Sequence, residues 1–307
     1  MKRVIVVSLT LLMVISAIAV ADGAFRAFQG GTGARALGMG GAFVAVADDA
    51  TAIQWNPAGL ALFGDTRLGG MSTDRFGVGV THQYIGAVTT LAGFGLGFGW
   101  ERLSIDSMVV DAVGAPGQVF TWSESVLIGT IASDLLGFGL VGVNIKYYTA
   151  DSGLGSTATG FGFDLGLLIS VGETVTIGVN ATDIAGTTIT WDTGVVNTVD
   201  AVYTAGAAMT LLEGTMLMAG DIDFTDAGLG DARIGLEFQV IPELAIRGGV
   251  VLTDEFQEFQ FTVGAGIAIA GLYVDAAYLL DEVLGNTLIL SAEFSFGELF
   301  PVEEPAE

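Results

Sequence analysis

The feature that most constrains the fold of this chain is a membrane-like hydropathy without any long apolar helix. Its mean hydropathy is +0.66. Only 14% of its residues are charged, against about 25% in a soluble domain. After residue 21, Gly, Asp, Thr or Asn interrupts every apolar run before it reaches the roughly 18 residues of a spanning helix. Because a bilayer admits only helices and closed barrels, the sequence predicts an all-β fold, a transmembrane antiparallel β-barrel.

Alternation between apolar and small or polar residues, the pattern of a barrel strand, recurs along the chain. In the run 160–169, Phe161, Phe163 and Leu165 share one face, whereas Gly162 and Asp164 lie on the other. The first face would contact lipid and the second would line the lumen. A soluble, secreted β-sandwich or β-solenoid also shows alternation and is the alternative. The barrel is favoured because the apolar faces carry almost no polar residue and because aromatic residues cluster near strand ends, as at membrane interfaces: Phe76, Trp100, Tyr147, Phe224, Tyr278 and Phe296.

The run 232–240 shows how strongly the register is specified. Arg233 and Glu237 lie opposite five apolar residues, so a slip of one residue would place both charges in lipid. Turn signals separate this run from its neighbours. About fourteen strands are predicted, with twelve or sixteen as alternative counts, and they lie near 67–73, 77–89, 92–105, 118–132, 136–149, 159–170, 173–182, 201–211, 214–224, 231–240, 243–253, 257–269, 271–281 and 286–297.

The first 21 residues have the pattern of a secretory signal peptide. Lys2 and Arg3 precede an apolar run from Val4 to Val20, and cleavage is expected after Ala21. An uncleaved membrane anchor is the alternative. Together with the barrel, the signal predicts the bacterial outer membrane as the location of the protein. Residues 298–307 are expected to form an acidic tail.

Composition excludes several classes of function. The net charge is −24, with only 10 Lys and Arg residues, which argues against nucleic acid as a partner because phosphate binding needs basic residues. The absence of Cys excludes disulfides and thiolate metal sites. The single histidine, His82, would need Asp74 or Asp106 to orient it as a base, and no serine context accompanies it. The sequence therefore predicts no enzyme and no cofactor.

Two groups of carboxylates are candidates for metal binding, since Ca²⁺ prefers several carboxylate ligands. They are Asp48 with Asp49, and Asp221 with Asp223 and Asp226. Neither group has the spacing of an EF-hand loop. The sequence therefore predicts no metal site, and acidic loops are expected to carry solvated charge.

Residues 22–64 depart from the strand pattern. Residues 30–43 are rich in Gly and small side chains, and residues 42–53 are expected to form a short helix. Asn56 before Pro57 suits a helix N-cap followed by Pro at the first helical position. The Gly-rich run is not read as a dinucleotide loop, because no strand precedes it and no βαβ unit follows. The segment is expected to form a compact element apart from the strands.

This segment carries a family resemblance. The stretch from Gly33 to Leu60, GARALGMGGAFVAVADDATAIQWNPAGL, resembles the N-terminal signature of the FadL-type outer-membrane protein superfamily, closest in style to its short PorV/PorQ-type branch. The later phrases Asp221–Asp223, Val274–Tyr278 and Ser291–Phe296 are similar to closing strands of that family. The resemblance implies a fourteen-stranded barrel over 65–297, with residues 22–64 folded inward as a plug, or hatch.

The resemblance also implies where functional residues lie. The plug motif, with a role in gating, would consist of Arg35, Gly38, Gly40, Gly41, Asn56, Pro57, Ala58 and Gly59. A hydrophobic ligand pocket would be lined by Phe43, Val46, Ile53, Trp55 and Leu60, and the alternative is that these five only pack the plug. The basic residues are expected to form lumen ion pairs with carboxylates, Arg35 being the candidate for a pair between plug and wall: Arg26, Arg35, Arg67, Arg75, Arg102, Lys146, Arg233 and Arg247.

Three functions follow as expectations. The first is passive uptake of hydrophobic, fatty-acid-like or detergent-like small molecules, released sideways into the outer-membrane lipid. The second is a PorV-like barrel that docks a secreted protein in secretion or surface attachment. It is favoured by short loops, the longest being 106–117, 150–158 and 183–200, which leave little chain for an external capture groove. The third is a general porin or structural barrel.

Overall fold

The computed structural model describes residues 25, 28, 30–110, 118–253, 258–281 and 285–299. The predicted signal peptide and its cleavage after Ala21 lie outside these residues, as do Arg26 and the tail beyond residue 299. The predicted domain boundary at residue 22 also lies outside them and stays a prediction.

Fourteen antiparallel strands close into a barrel, as predicted. The sheet contains 16 strands, of which β8 and β9 form a hairpin outside the ring. The ring closes where β1 pairs with β16. The strands are β1 (Arg67–Arg75), β2 (Val80–Leu91), β3 (Phe94–Val110), β4 (Gln118–Asp134), β5 (Leu140–Asp151), β6 (Thr157–Val171), β7 (Val175–Thr182), β8 (Thr187–Trp191), β9 (Val196–Val199), β10 (Val202–Leu211), β11 (Met216–Thr225), β12 (Gly228–Ile241), β13 (Leu244–Thr253), β14 (Glu258–Ile269), β15 (Leu272–Leu280) and β16 (Thr287–Ser295).

The hairpin of β8 and β9 lies in a stretch that the sequence predicted as a loop, 183–200. Residues 187–190 of β8 pair with residues 196–199 of β9, and β8 also pairs with residues 158–160 at the start of β6. These strands were missed because each has at most five residues and lacks the long apolar face of a lipid-facing strand.

The alternation of inward and outward side chains follows the predicted register. On β6, Phe161, Phe163 and Leu165 are exposed on the outer surface, whereas Gly162 and Asp164 are buried. On β12, Arg233 and Glu237 form ion pairs inside the barrel. The outer surface is therefore the apolar face required by lipid, and polar groups lie within.

The two ends of the barrel differ in their connections. At one end, Ala92–Gly93 and Ala270–Gly271 join strands through two-residue turns in which both residues have positive φ, the geometry that matches strand twist. We call this the short-turn end, and it also holds the start of β1 and the end of β16. The opposite, long-loop end holds the longer connections, including 183–201.

The helices whose bounds lie within the described residues are short: α1 (Ala34–Gly38), α2 (Ala52–Trp55), a 3-10 helix (Pro57–Leu62), a second 3-10 helix (Leu212–Gly214) and α3 (Phe296–Leu299). None of the helices in the described part of the chain is long and apolar enough to cross a membrane. The helix expected over 42–53 is wrong, since most of this stretch forms turns and bends. Ala47 has a φ of 35°, which breaks a right-handed helix.

Candidate functional site

The inner segment, which we define as residues 30–63, lies inside the barrel. It contacts six lumen-facing glycines on six strands, where a Cβ would stand 2.1 to 2.4 Å from an atom of the inner segment. No side chain fits at such a separation, so wall and inner segment are matched in shape. We call these residues the glycine belt: Gly95, Gly142, Gly166, Gly178, Gly235 and Gly249.

Polar side chains of the wall satisfy the irregular backbone of the inner segment, which must find partners because no lipid group can supply them. Asp221 on β11 accepts hydrogen bonds from the backbone N–H groups of Phe43 at 2.7 Å and Val44 at 2.9 Å. Asn144 on β5 donates to the Ile53 carbonyl at 2.8 Å. Further anchors are Tyr84 to Ala50, Ser291 to Ala34, Thr262 to Gly38 and Glu293 to Ala50.

Asn56 is the polar hub of the inner segment and is fully buried. Its Oδ1 accepts from the Ala58 N–H at 3.2 Å and caps the 3-10 helix, with Pro57 at the first position, as the sequence predicted. Its Nδ2 donates to the carbonyls of Val44 at 2.8 Å and Leu167 at 3.1 Å. One amide therefore joins two parts of the inner segment to the wall strand β6.

Arg35 on α1 makes the predicted ion pair with the wall. Its Nε lies 2.9 Å from Glu237 on β12, and its Nη1 pairs with Asp48 inside the inner segment. Glu237 also accepts from Arg247 on β13, whose Nη1 lies 2.6 Å from Asp275 on β15. The resulting chain of charges links the inner segment to the wall strands β12, β13 and β15.

Replacement of Arg35 by Met is expected to lower the unfolding midpoint, because the largely buried Glu237 and the exposed Asp48 then lose the cation that they share. The expected loss is about 1–3 kcal/mol, measured by heat-dependent electrophoretic mobility of the folded barrel. Arg102→Met is the matched control, since Arg102 shares the outward register of Trp100 on β3 and the described residues give it no ion pair. An Arg35→Met midpoint equal to that of the control would oppose the anchoring role.

Not every basic residue follows the expected pattern. Lys146, Arg67, Arg233 and Arg247 form ion pairs within the barrel. Arg102 does not, among the described residues, because the alternation of β3 places it on the outer face. The expectation for Arg102 was therefore wrong.

His82 lies in a buried polar row and not beside the expected aspartates. Its Nε2 is 2.5 Å from Glu101 on β3, and its Nδ1 is 3.1 Å from Arg75. Asp74 instead accepts from the Gly79 N–H in a turn, and the side chain of Asp106 lies outside the description. Gln54 of the inner segment also bonds Glu101, so this row serves as a further contact between wall and inner segment.

Three of the five carboxylates considered for metal binding bond to other partners. Asp48 pairs with Arg35, Asp221 holds the backbone of Phe43 and Val44, and Asp223 makes two contacts with Arg233 at 2.9 and 2.6 Å. Within the described ranges no cluster of three or more metal-binding side chains is found.

An outer cavity of about 690 Å³ opens near the long-loop end. Its floor includes Leu37 and Trp55 of the inner segment. A smaller inner pocket, about 60 Å³, adjoins it and shares Trp55, Val202, Asp223 and Arg233 with it. The inner pocket is lined further by aromatic and aliphatic side chains, including Phe25, Phe28, Val44, Val126 and Tyr148.

A third cavity of about 400 Å³ lies near the short-turn end and shares no lining residue with the outer cavity. Beside it, Asp65 accepts from Ser295 at 2.5 Å and from Arg67 at 3.1 Å. Partial burial raises the pKa of the Asp65 carboxyl, but these hydrogen bonds outweigh burial and hold the pKa below its ordinary value. Helix α1 separates the two sides, with Arg35 at the short-turn cavity and Leu37 at the outer cavity.

The residues expected to line a hydrophobic pocket divide into two groups. Phe43, Val46, Ile53 and Leu60 are buried in core clusters that join the inner segment to the wall. Trp55 alone of the five lines the cavities described above, and it packs against all three core clusters.

The glycines of the predicted motif contact the wall or the inner segment itself. Gly38 lies against Gly264, Gly40 against the Val250 backbone, and Gly59 against the Ala47 carbonyl. Gly41 contacts Trp55, whereas Ala58 and Pro57 lie against Gly142. The motif is thus brought together as close-packed backbone, and its role in gating stays a prediction.

Several pocket residues were missed by sequence reasoning, among them Asn180, Tyr148 and Val202. Inward register identifies Asn180 and Tyr148 as lumen-facing. Nothing in a single strand shows which inward positions border a cavity and which touch the inner segment, because the contacts join distant parts of the chain.

Comparison with known proteins gives a family and a fold. The sequence model of an uncharacterised protein family, UPF0164, matches residues 13–202, more than half of the chain. None of the curated proteins matches it.

Solved barrels share the architecture at low sequence identity. The Pseudomonas putida toluene transporter TodX has a TM-score of 0.65 at 14% identity, over 87% of this chain and 99% of its own. The Ralstonia pickettii toluene transporter TbuX has 0.61 at 15%, over 86% and 98%. A Pseudomonas aeruginosa FadL homologue has 0.63 at 11%, over 87% and 98%. These similarities show the FadL-type fold, whereas the PorV/PorQ-type branch stays a prediction.

Proposed function

Since the chain belongs to the uncharacterised protein family UPF0164, its family supplies no activity, and we propose from its architecture that it takes up hydrophobic small molecules passively across the bacterial outer membrane. The proposal includes no catalytic step. It covers fatty-acid-like molecules and hydrocarbons alike, and it places the short-turn end in the periplasm, because bacterial barrels keep short turns on that side.

The observation that carries the proposal is the inner pocket. Phe25, Phe28, Trp55 and Tyr148 give it an aromatic wall, and it adjoins an outer cavity at the long-loop end. An apolar site that bears a few polar groups is the usual form of a small-molecule site. The similar solved barrels include two toluene transporters, which agrees with an apolar ligand.

Closure of the lumen separates this proposal from that of a general porin. The inner segment contacts the glycine belt on six strands, and the outer and short-turn cavities share no lining residue. A molecule that enters the outer cavity must therefore leave through the wall or await a movement of the inner segment. The route through the wall favours a ligand that tolerates lipid over a hydrated solute.

The proposal is tested by expressing the full chain in the outer membrane of a bacterial host that lacks its own channels for hydrophobic molecules. Initial uptake of radiolabelled toluene and laurate is measured, with sucrose as the hydrophilic control. We expect faster uptake of at least one apolar probe and no change for sucrose. Sucrose entry as fast as toluene entry would favour the porin, and unchanged uptake of all three would remove the transport proposal.

A further inference from the structure

The inner pocket contains an unused hydrogen-bonding group. Asn180 on β7 lines this pocket and is only 2% exposed. Its Nδ2 donates to Thr182 Oγ1 at 3.1 Å, whereas its Oδ1 has no hydrogen-bond partner within the described ranges. Buried amide oxygens are nearly always paired, because an acceptor stripped of water without a replacement is costly. The Asn180 carbonyl therefore suits a donor brought in by a ligand.

The basic groups and the tyrosine hydroxyl at the inner pocket are already paired with protein partners. Lys146 lies 3.4 Å from Asp183, and Arg233 lies 2.6 Å from Asp223. Tyr148 donates to Asp183 at 2.9 Å. Asn180 thus keeps an unused hydrogen-bond acceptor at this pocket, its Oδ1, in the described part of the chain. It lies beside an aromatic wall that would cover the apolar part of a ligand.

The approach to the pocket is acidic. Four carboxylates line the outer cavity, Asp200, Asp223, Asp226 and Asp231, against one guanidinium, Arg233. A cleft lined with charges of one sign repels ligands of the same sign and concentrates the opposite sign. A carboxylate ligand would meet net negative charge on its way in, whereas a neutral molecule or a cation would not.

We propose that the inner pocket selects small aromatic molecules that carry a hydrogen-bond donor and no carboxylate, such as neutral alcohols, phenols or protonated amines, with Asn180 as the specificity-determining acceptor. This inference rests on the proposed uptake function and narrows its substrate class. The ring packs against Phe28, Trp55 and Tyr148, the donor bonds Asn180 Oδ1, and the acidic outer cavity excludes fatty-acid anions.

Binding is tested by calorimetry on the purified full chain in mild detergent, with four probes of similar size: toluene, benzyl alcohol, benzylammonium and benzoate. Asn180→Leu is expected to weaken the affinity for benzyl alcohol about 3–10-fold, which is the net value of one hydrogen bond. The affinity for toluene is expected to stay within about twofold, since the apolar wall is kept. Asn180→Asp keeps an acceptor. It is expected to preserve benzyl alcohol binding and to strengthen benzylammonium binding.

Asn286→Leu is the matched control for Asn180→Leu, because Asn286 lies outside the lumen, where its side chain accepts from the Asp281 N–H. If Asn180→Leu does not fold, the comparison of Asn180→Asp with the unaltered chain still decides the role of the acceptor. A benzyl alcohol affinity that Asn180→Leu leaves unchanged, or that Asn180→Asp reduces as strongly as Asn180→Leu, would overturn the assignment of Asn180.

The charge of the outer cavity is tested separately with Asp226→Asn/Asp231→Asn. The unaltered chain is expected to bind benzylammonium more tightly than benzoate at low salt. The double variant is expected to lower the ratio of the benzylammonium affinity to the benzoate affinity several-fold. Salt at about 0.15 M should narrow it as well, because it screens exposed charges. The control is Glu173→Gln/Glu213→Gln, which removes two carboxylates at the short-turn end and should leave the ratio unchanged.

The outcomes separate this inference from the function on which it rests. If toluene is taken up and the four probes bind with equal affinity whatever their donor or charge, the proposed selectivity is wrong. The proposed hydrophobic uptake then still stands. If benzoate binds as tightly as benzylammonium in the unaltered chain, the exclusion of carboxylates is wrong. If no probe binds and none is taken up, the proposed function itself fails.

Discussion

Replacement of Gly178 by Leu is expected to displace the inner segment and to convert the closed barrel into one that conducts ions. A Cβ at Gly178 would lie 2.2 Å from the Val44 carbonyl oxygen and 2.7 Å from the Ala45 Cα. These are backbone atoms, and the Val44 N–H is held by Asp221, so they cannot give way without loss of the anchor. The wall itself is intact, since a strand tolerates leucine.

The measurement is single-channel conductance of the purified protein in a planar bilayer. The unaltered chain should show no steady open level, and Gly178→Leu should show discrete open steps. Gly129→Leu is the matched control, because Gly129 is exposed on β4 and a Cβ there would meet nothing within 4 Å. A Gly178→Leu barrel as silent as the Gly129→Leu barrel would show that the glycine belt does not hold the inner segment in place.

Asn56→Ala is expected to have the largest effect of any single anchor on stability. The change removes the cap on Ala58 and leaves the carbonyls of Val44 and Leu167 without the amide that bonds them. Orphaned buried groups of this kind cost about 1–3 kcal/mol each, so a loss of about 2–5 kcal/mol is expected.

Unfolding in denaturant, followed by electrophoretic mobility, measures this loss, with Asn286→Ala as the exposed asparagine control. Toluene uptake by the same variant tests gating. A loosened inner segment should alter the rate, and an unaltered rate together with a lowered midpoint would assign Asn56 to packing alone.

The barrel was predictable from sequence because its signals are local. Alternation along β6 and β12 depends only on neighbouring residues, and turn pairs such as Ala270–Gly271 can be recognised from their residue types. A lipid-facing strand must also present an unbroken apolar face. Each requirement can be checked within about ten residues, so the strand positions were confirmed to within a few residues.

Local propensity failed where tertiary contacts outweighed it. The alanine-rich run 42–53 suggests a helix, but its N–H groups at Phe43 and Val44 bond Asp221 of the wall. The chain turns away from a helical path at Ala47, whose φ of 35° lies outside the right-handed helical region. The wall offered a charge-assisted alternative that no single-sequence pattern reveals.

The sequence by itself determined the class of the fold, its register and the positions of the fourteen barrel strands, together with the helix cap at Asn56, because each of these follows from residue order within a short window. Tertiary structure decided which lumen-facing glycine meets which part of the inner segment, which carboxylates anchor backbone, and why Asn180 alone keeps an unpaired acceptor at the inner pocket in the described part of the chain. The physical reason is distance along the chain. Gly178 meets Val44 and Asp221 meets Phe43 across more than a hundred residues, and only closure of the barrel brings them together.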